Sequence, residues 1–279
     1  MSTLHYFRAN ATRLGFNGTL LWTKADLQSD PIFASNLTHL LDLQNETTTP
    51  LELQAKARPY CAGFKALMLW RGMQMSEPGD YVMWADATRH FDYSQRKPAR
   101  ATIQAVMERL QQDGHTDAFG FVWGCRNSSW AYSTLQHQIK YSPTLVRFFP
   151  LVDSMSTIER RKLEMNSAHL LLQNNPRNRA LVQEFLQYYV DYASARAVCQ
   201  AHDADQALWN LMGVSHGLHP LNICKCSGGP THKDLMAVID QLAAGRYTAS
   251  GDCVHETEAP KMEAAVAGCE KGKRTPRGE

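Results

Sequence analysis

The chain has 279 residues, of which 44% are hydrophobic and 20% are charged, and its formal net charge is +2. This composition is that of a globular protein with a substantial core, and it excludes the disordered and fibrous classes. No apolar run approaches the roughly 18 to 20 residues of a membrane helix. The basic residues are scattered except in the last stretch, "EKGKRTPRGE", so we predict neither a membrane span nor a nucleic-acid surface.

The first part of the chain shows alternating helical and strand patterns. Residues 3–14 predict a short helix, residues 18–23 ("GTLLWT") a short strand, and the segment after Pro31 a helix that polar residues break near residues 44–50. A clearer amphipathic helix follows, with apolar residues at helical spacing: Tyr60, Phe64, Leu67 and Met68. The turn "SEPGD" then leads into a strand, "YVMWAD".

The second part repeats this scheme. After Pro98, the spacing of Ile103, Val106, Met107 and Leu110 predicts one helical face, which Gly114 closes before the strand "AFGFVWGC". A strand "HLLLQ" (169–173) and a turn "NNPR" precede a helix whose inward face carries Leu181, Phe185 and Tyr189. The last helix, "DADQALWNLMG" (203–213), places Ala207, Leu208 and Leu211 inward.

Strands that alternate with helices predict an α/β fold with a mixed, mainly parallel sheet flanked by helices. We expect one domain over residues 1–245 and a flexible tail over residues 246–279, where Gly, Thr, Glu and Lys accumulate.

Cysteine and asparagine usage bears on the cellular compartment. Seven cysteines lack the regular spacing of a disulfide scaffold, so the cysteines alone do not indicate the redox compartment. Sequons of the form Asn-x-Ser/Thr occupy five of the eleven asparagines, at Asn10, Asn17, Asn36, Asn45 and Asn127. They favour a history in the secretory lumen, with chance matches in a Thr-rich stretch as the alternative. The segment "MSTLHYFRANATRLGF" has no apolar core of a signal peptide.

The strand "YVMWAD" ends on a carboxylate, Asp86, with His90 and Asp92 close behind. In open α/β sheets ligands bind at the carboxyl ends of the strands, and two carboxylates there suit a hard divalent cation that neutralises a diphosphate. The alternative is that Asp86 caps the turn that follows the strand.

Three segments in order, "YCAGFKALMLWRGMQMSEPGDYVMWADATRHF", "NSAHLLLQNNPRNRALVQEFLQYYVDY" and "HDADQALWNLM", resemble glycosyltransferases of the GT-A type. The resemblance covers roughly residues 3–220 and depends on the order and spacing of three weak motifs. It implies a single GT-A-like, Rossmann-like domain. It also implies that the family's first strand, which precedes a helix like "HYFRANATRLGF", is missing from this chain.

The resemblance assigns roles residue by residue. Asp86 would be the first acid of an Asp-x-Asp-like motif that holds Mn²⁺ or Mg²⁺ against the donor diphosphate. Thr88 stands where the second acid of the motif would be. Water or Asp92 would therefore have to supply a further metal ligand. Asn166 and Ser167 match a loop that lines donor and acceptor. Asp205 and Gln206 match the start of a helix, and Asp205 is the candidate catalytic base. A later histidine, His216 or His219, matches an additional metal ligand.

Each role has a simpler alternative. Asn166 fits a strand start that satisfies backbone groups, Gln206 a surface helix position and Asp205 a helix-start acid. A separate alternative is a structural zinc site in "HGLHPLNICKC", with ligands from His216, His219, Cys224 and Cys226 and with His232 following.

The predicted function is therefore metal-dependent transfer of a sugar from a nucleotide sugar, UDP-linked by resemblance, to a hydroxyl of a glycan, protein or small molecule. The alternative is a catalytically inactive GT-A-like domain that binds or scaffolds, which Thr88 and the missing strand favour. The resemblance and the sequons together predict a location in the Golgi or ER lumen, provided that the full-length protein carries an anchor.

Overall fold

A computed structural model describes residues 8–9, 11–46, 59–85, 101–114, 119–123, 135–156, 166–201, 204–218, 221–223, 239–240 and 242–245. Four of the predicted site residues lie outside this described part, namely Asp86, Thr88, Asp92 and His219, as does the predicted tail.

Helices make up most of the regular structure. The first five are α1 (Lys24–Ser29), α2 (Pro31–Asn36), α3 (His39–Glu46), α4 (Gly63–Met75) and α5 (Ile103–Gln112), and a 3₁₀ turn at Pro59–Ala62 precedes α4. The others are α6 (Leu135–Tyr141), α7 (Pro143–Val146), α8 (Leu151–Ser154), α9 (Pro176–Val190), α10 (Tyr192–Gln200) and α11 (Ala204–Ser215). The strands are β1 (Tyr81–Ala85), β2 (Phe119–Trp123), β3 (Asn166–Gln173) and β4 (Leu221–Ile223).

The four strands of the described residues form one small sheet in the order β1-β3-β2-β4. Strand β3 runs antiparallel to both β1 and β2, and β2 pairs with β4 in parallel. The prediction of a GT-A-like α/β domain with a mainly parallel sheet is therefore wrong: within the described residues helices dominate and the sheet is mainly antiparallel. The physical reason is that hydrophobic periodicity identifies strands but carries no information on their direction. Here β3 inserts between β1 and β2 and runs against both.

Several single elements are predicted correctly, and one strand is not. The predicted strands at 81–86 and 169–173 correspond to β1 and β3. Residues 18–23 form no strand. Instead, the Thr23 hydroxyl accepts the amide hydrogen of Asp26, and the Asp26 carboxylate accepts the amide hydrogen of Thr23. This capping box uses the end of the predicted strand to begin α1.

The sheet separates two groups of buried side chains. On one face, Val82, Trp84 and Leu170 pack in the larger core cluster with helices α4, α9, α10 and α11. On the other face, Met83 and Leu171 pack with the smaller cluster, whose members include Leu14 and residues of α5. Alternate residues of β1 and β3 thus point to opposite faces, as the period of two in a strand requires.

Asn174 fixes the connection between α4 and β1. Its side-chain amide donates to the carbonyl oxygens of Met73, Ser76 and Glu77, at 3.1, 2.7 and 3.1 Å. Its carbonyl oxygen accepts a hydrogen bond from Arg179. Because Asn174 directly follows β3, these bonds hold the end of α4 and the turn that leads to β1 against the end of β3.

Candidate functional site

One edge of the sheet brings two of the predicted segments together. In the register of β1 and β3, Ala85 lies opposite His169, and Asn166 at the start of β3 lies opposite Phe121 of β2. The carboxyl ends of β1 and β2 therefore meet the amino end of β3. Asp86 follows Ala85 directly in the chain.

A buried polar cluster lies behind this edge and joins three elements. The Lys65 ammonium of α4 contacts a carboxylate oxygen of Asp205 in α11 at 2.5 Å, and it donates to the carbonyl oxygen of Ser167 in β3 at 3.0 Å. The Ser167 hydroxyl donates to the same oxygen of Asp205 at 2.6 Å. The side chains of Lys65 and Asp205 are only 5% and 1% exposed. We call these three residues the Lys65 cluster.

The Lys65 cluster is also in contact with β1. The ammonium lies 5.3 Å from the ring centroid of Trp84, two residues before Asp86, in the arrangement of a cation–π contact. A buried charge is stable only when it is paired and hydrogen-bonded. The carboxylate, the carbonyl oxygen and the indole ring together supply that environment.

Local structure explains how the two charged residues reach each other. Three consecutive residues before α4 have left-handed backbone angles, with φ of 56° at Tyr60, 52° at Cys61 and 64° at Ala62. A disulfide joins Cys61 to Cys199 at the end of α10. Lys65 lies in the first turn of α4, four residues after Cys61, and Asp205 lies six residues after Cys199. The disulfide therefore links the segment that precedes Lys65 to the segment that precedes Asp205.

The structure unites some predicted site residues and separates others. Ser167 and Asp205 lie in the Lys65 cluster, the backbone of Asn166 is at the same sheet edge, and the half-buried Gln206 follows Asp205 on α11. His216 follows the other end of α11, roughly 16 Å along the helix axis from Asp205.

His216 has a partner of its own at that distant position. Its ring nitrogen lies 2.7 Å from the carboxylate of Glu184, and both side chains are exposed. His216 therefore does not contribute to the Lys65 cluster. The described part of the chain shows no group of three or more His, Cys, Asp or Glu residues placed to hold a metal ion. Of the alternative zinc ligands, His219, Cys224, Cys226 and His232 lie outside the described residues.

Lys65 is not among the site residues predicted from the sequence, although its spacing carries a signal. Lys65 stands in a row with Cys61, Leu69 and Met73 at intervals of four residues, and all of these side chains are buried. A lysine on the buried stripe of a helix requires an acidic or other polar partner elsewhere in the chain. The burial of Asp205 also disfavours a role as catalytic base, because a base must reach the acceptor hydroxyl.

No match to this chain was found among protein-family models, curated proteins or solved structures. None of the described helices combines the length and the apolar character that a membrane crossing requires.

Proposed function

We propose that this protein is a metal-dependent glycosyltransferase that uses a nucleotide-sugar donor, with its site at the carboxyl end of β1. The observation that carries the proposal is the Lys65 cluster. The cluster and its contact with Trp84 join the three segments on which the resemblance depends. Lys65 and Trp84 belong to the first segment, Ser167 to the second and Asp205 to the third. Segments that share a site must meet in space, and these do so although they are far apart in the chain.

The ligands that we propose for the metal are oxygen atoms. Asp86 and Asp92 provide carboxylates, which are the ligands that Mn²⁺ and Mg²⁺ prefer, and Thr88 supplies a weaker hydroxyl. When bound, the cation would neutralise charge on the departing nucleoside diphosphate. Residues of this chain would hold the site in shape: Lys65 and Asp205 fix the start of β3 relative to α11, next to the end of β1.

Isothermal titration calorimetry with UDP tests the proposal. We expect UDP to bind in the presence of Mn²⁺ and to bind at least tenfold more weakly without it, because the cation carries much of the diphosphate contact. Asp86→Ala should abolish the dependence on metal. Asp42→Ala removes an exposed carboxylate from α3 and should bind like the wild type. A folded wild-type protein that shows no UDP binding with Mn²⁺ would overturn the proposal.

The second candidate is an inactive domain that binds a nucleotide sugar without transferring the sugar. Two observations favour it: the buried Lys65 neutralises Asp205, and Thr88 replaces the second acid of the motif. Release of free UDP from UDP-sugars in the presence of Mn²⁺ distinguishes the two. Turnover, even with water as the acceptor, supports the transferase, whereas stoichiometric binding without UDP release supports the binding domain.

We also propose that the protein matures in the Golgi or ER lumen. The Cys61–Cys199 disulfide supports this location, because disulfides form and persist mainly in oxidising compartments. The five sequons agree with it. Non-reducing and reducing peptide maps of protein from its native source would show whether the disulfide forms there.

A further inference from the structure

Two of the five sequons have acceptor asparagines whose surroundings the structure describes fully, at Asn17 and Asn36. Both asparagine side chains are exposed. A sequon in a cytosolic chain is under no constraint to lie on the surface, whereas a sequon that carries a glycan must lie where the folded protein accommodates a large polar group.

Asn17 lies in an open stretch between the first helical residues and α1. Among the described residues, no heavy atom lies within 4 Å of the position that a Cβ on its neighbour Gly18 would take, so space is open beside Gly18. The chain from residue 16 to residue 22 forms neither helix nor strand. Asn17 itself is exposed, so a glycan on its side chain would extend into solvent.

Asn36 is the last residue of α2, and its sequon is completed by Leu37 and Thr38. Leu37 is fully buried in the larger core cluster, whereas Asn36 and Thr38 are both exposed. Leu37 fixes the segment in the core, and the residues on either side of it are exposed. Asn36 and Thr38, which define the sequon, are thus both on the surface.

We propose that Asn17 and Asn36 are sites of N-linked glycosylation. Two independent observations support this: the exposure of both acceptors, and the buried Cys61–Cys199 disulfide, which is typical of a protein that folds in the compartment where such glycans are attached. The proposal concerns modification and does not depend on the proposed catalytic activity.

The test uses the full chain, fused after a cleavable secretion leader and translated with microsomes. Only the chain that the microsomes protect from added protease is analysed, so that every molecule examined has entered the lumen. Treatment with peptide-N-glycosidase in ¹⁸O-labelled water converts a glycosylated asparagine into labelled aspartate, which peptide mass spectrometry locates. We expect the label at positions 17 and 36.

Matched variants separate the sequon from its surroundings. Asn17→Gln and Asn36→Gln should each remove one discrete step in electrophoretic mobility, and Thr38→Ala should match Asn36→Gln although it keeps the asparagine. Thr38→Ser preserves the sequon and should keep the glycan. Protected, disulfide-bonded chain that carries no label at either position would overturn the proposal.

Discussion

At the scale of single residues, the Lys65–Asp205 pair holds the candidate site together. Both charges are almost completely withdrawn from water, so removal of either one takes a buried partner of opposite charge away from the other. Loss of one partner of such a pair typically costs about 3 to 5 kcal/mol. We expect Asp205→Asn and Lys65→Met each to lower the free energy of unfolding by that amount, measured by urea denaturation.

A double variant and a surface pair provide the controls. Lys65→Met combined with Asp205→Asn should cost clearly less than the sum of the two single changes, because the same ion pair is lost in each of them. The exposed pair of Arg109 and Asp113 is the matched surface case, and Asp113→Asn should change stability by less than about 1 kcal/mol. Fully additive effects at Lys65 and Asp205 would contradict an energetic coupling between them.

Asp30 makes stability depend on pH. Burial alone would raise the pKa of its carboxyl, but hydrogen bonds from Arg71 and from the amides of Ile32 and Phe33 outweigh burial and lower that pKa. A carboxylate whose pKa is lower in the folded state stabilises the protein above its unfolded pKa. This contribution is lost as the pH falls below about 4 and through the folded pKa.

Asn remains a good helix cap, so Asp30→Asn keeps the cap of α2 and removes the charge. At pH 6 we expect the free energy of unfolding of the wild type to be higher than that of this variant, by on the order of 2 kcal/mol. The margin should shrink steadily as the pH is lowered toward 2. Chemical denaturation across that range measures it, and a margin that did not change with pH would contradict the assignment.

At the scale of elements, α4 depends on a glycine for its packing. A Cβ atom at Gly63 would lie 2.6 Å from a methyl carbon of Leu40 and 2.9 Å from the ring of Tyr189. Both neighbours are buried in the core, so neither can move away without cost. Gly63→Ala should therefore destabilise the protein by about 1 to 3 kcal/mol, as overpacking of a core does.

Gly18→Ala is the control for that substitution. Its Cβ would have no heavy atom of the described residues within 4 Å, so thermal unfolding should occur within about a degree or two of wild type. Equal melting temperatures for Gly63→Ala and wild type would show that α4 does not approach α3 and α9 as closely as described.

The sequence predicts elements better than it predicts their arrangement. Helix α5 and its buried face follow directly from hydrophobic spacing, and Ile103, Val106 and Leu110 are all buried as predicted. The direction of β3 between β1 and β2 depends on long-range pairing, which local spacing does not encode. The same limit applies to the Lys65–Asp205 pair: the buried stripe of α4 indicates that Lys65 needs a partner, but the identity of that partner becomes visible only when both helices are placed.

At the scale of the whole molecule, one covalent bond connects distant parts of the chain. Cys61 and Cys199 are separated by 138 residues, and both are buried in the larger core cluster. The bond crosses from the start of α4 to the end of α10 and encloses most of the described sheet within its loop. Cross-links that close long loops restrict the unfolded chain most strongly.

Replacement of both cysteines by alanine should lower the free energy of unfolding by about 2 to 5 kcal/mol, because the unfolded chain regains the freedom that the loop removes. For a chain of this size, that corresponds to a fall in melting temperature of roughly 5 to 15 °C, measured by calorimetry. Dithiothreitol should lower the melting temperature of wild type by a similar amount and leave the double variant unchanged, since the variant has no bond to reduce at this position. If the reductant shifted both proteins equally, its effect would come from other cysteines, and the stabilising role of the Cys61–Cys199 bond would be refuted.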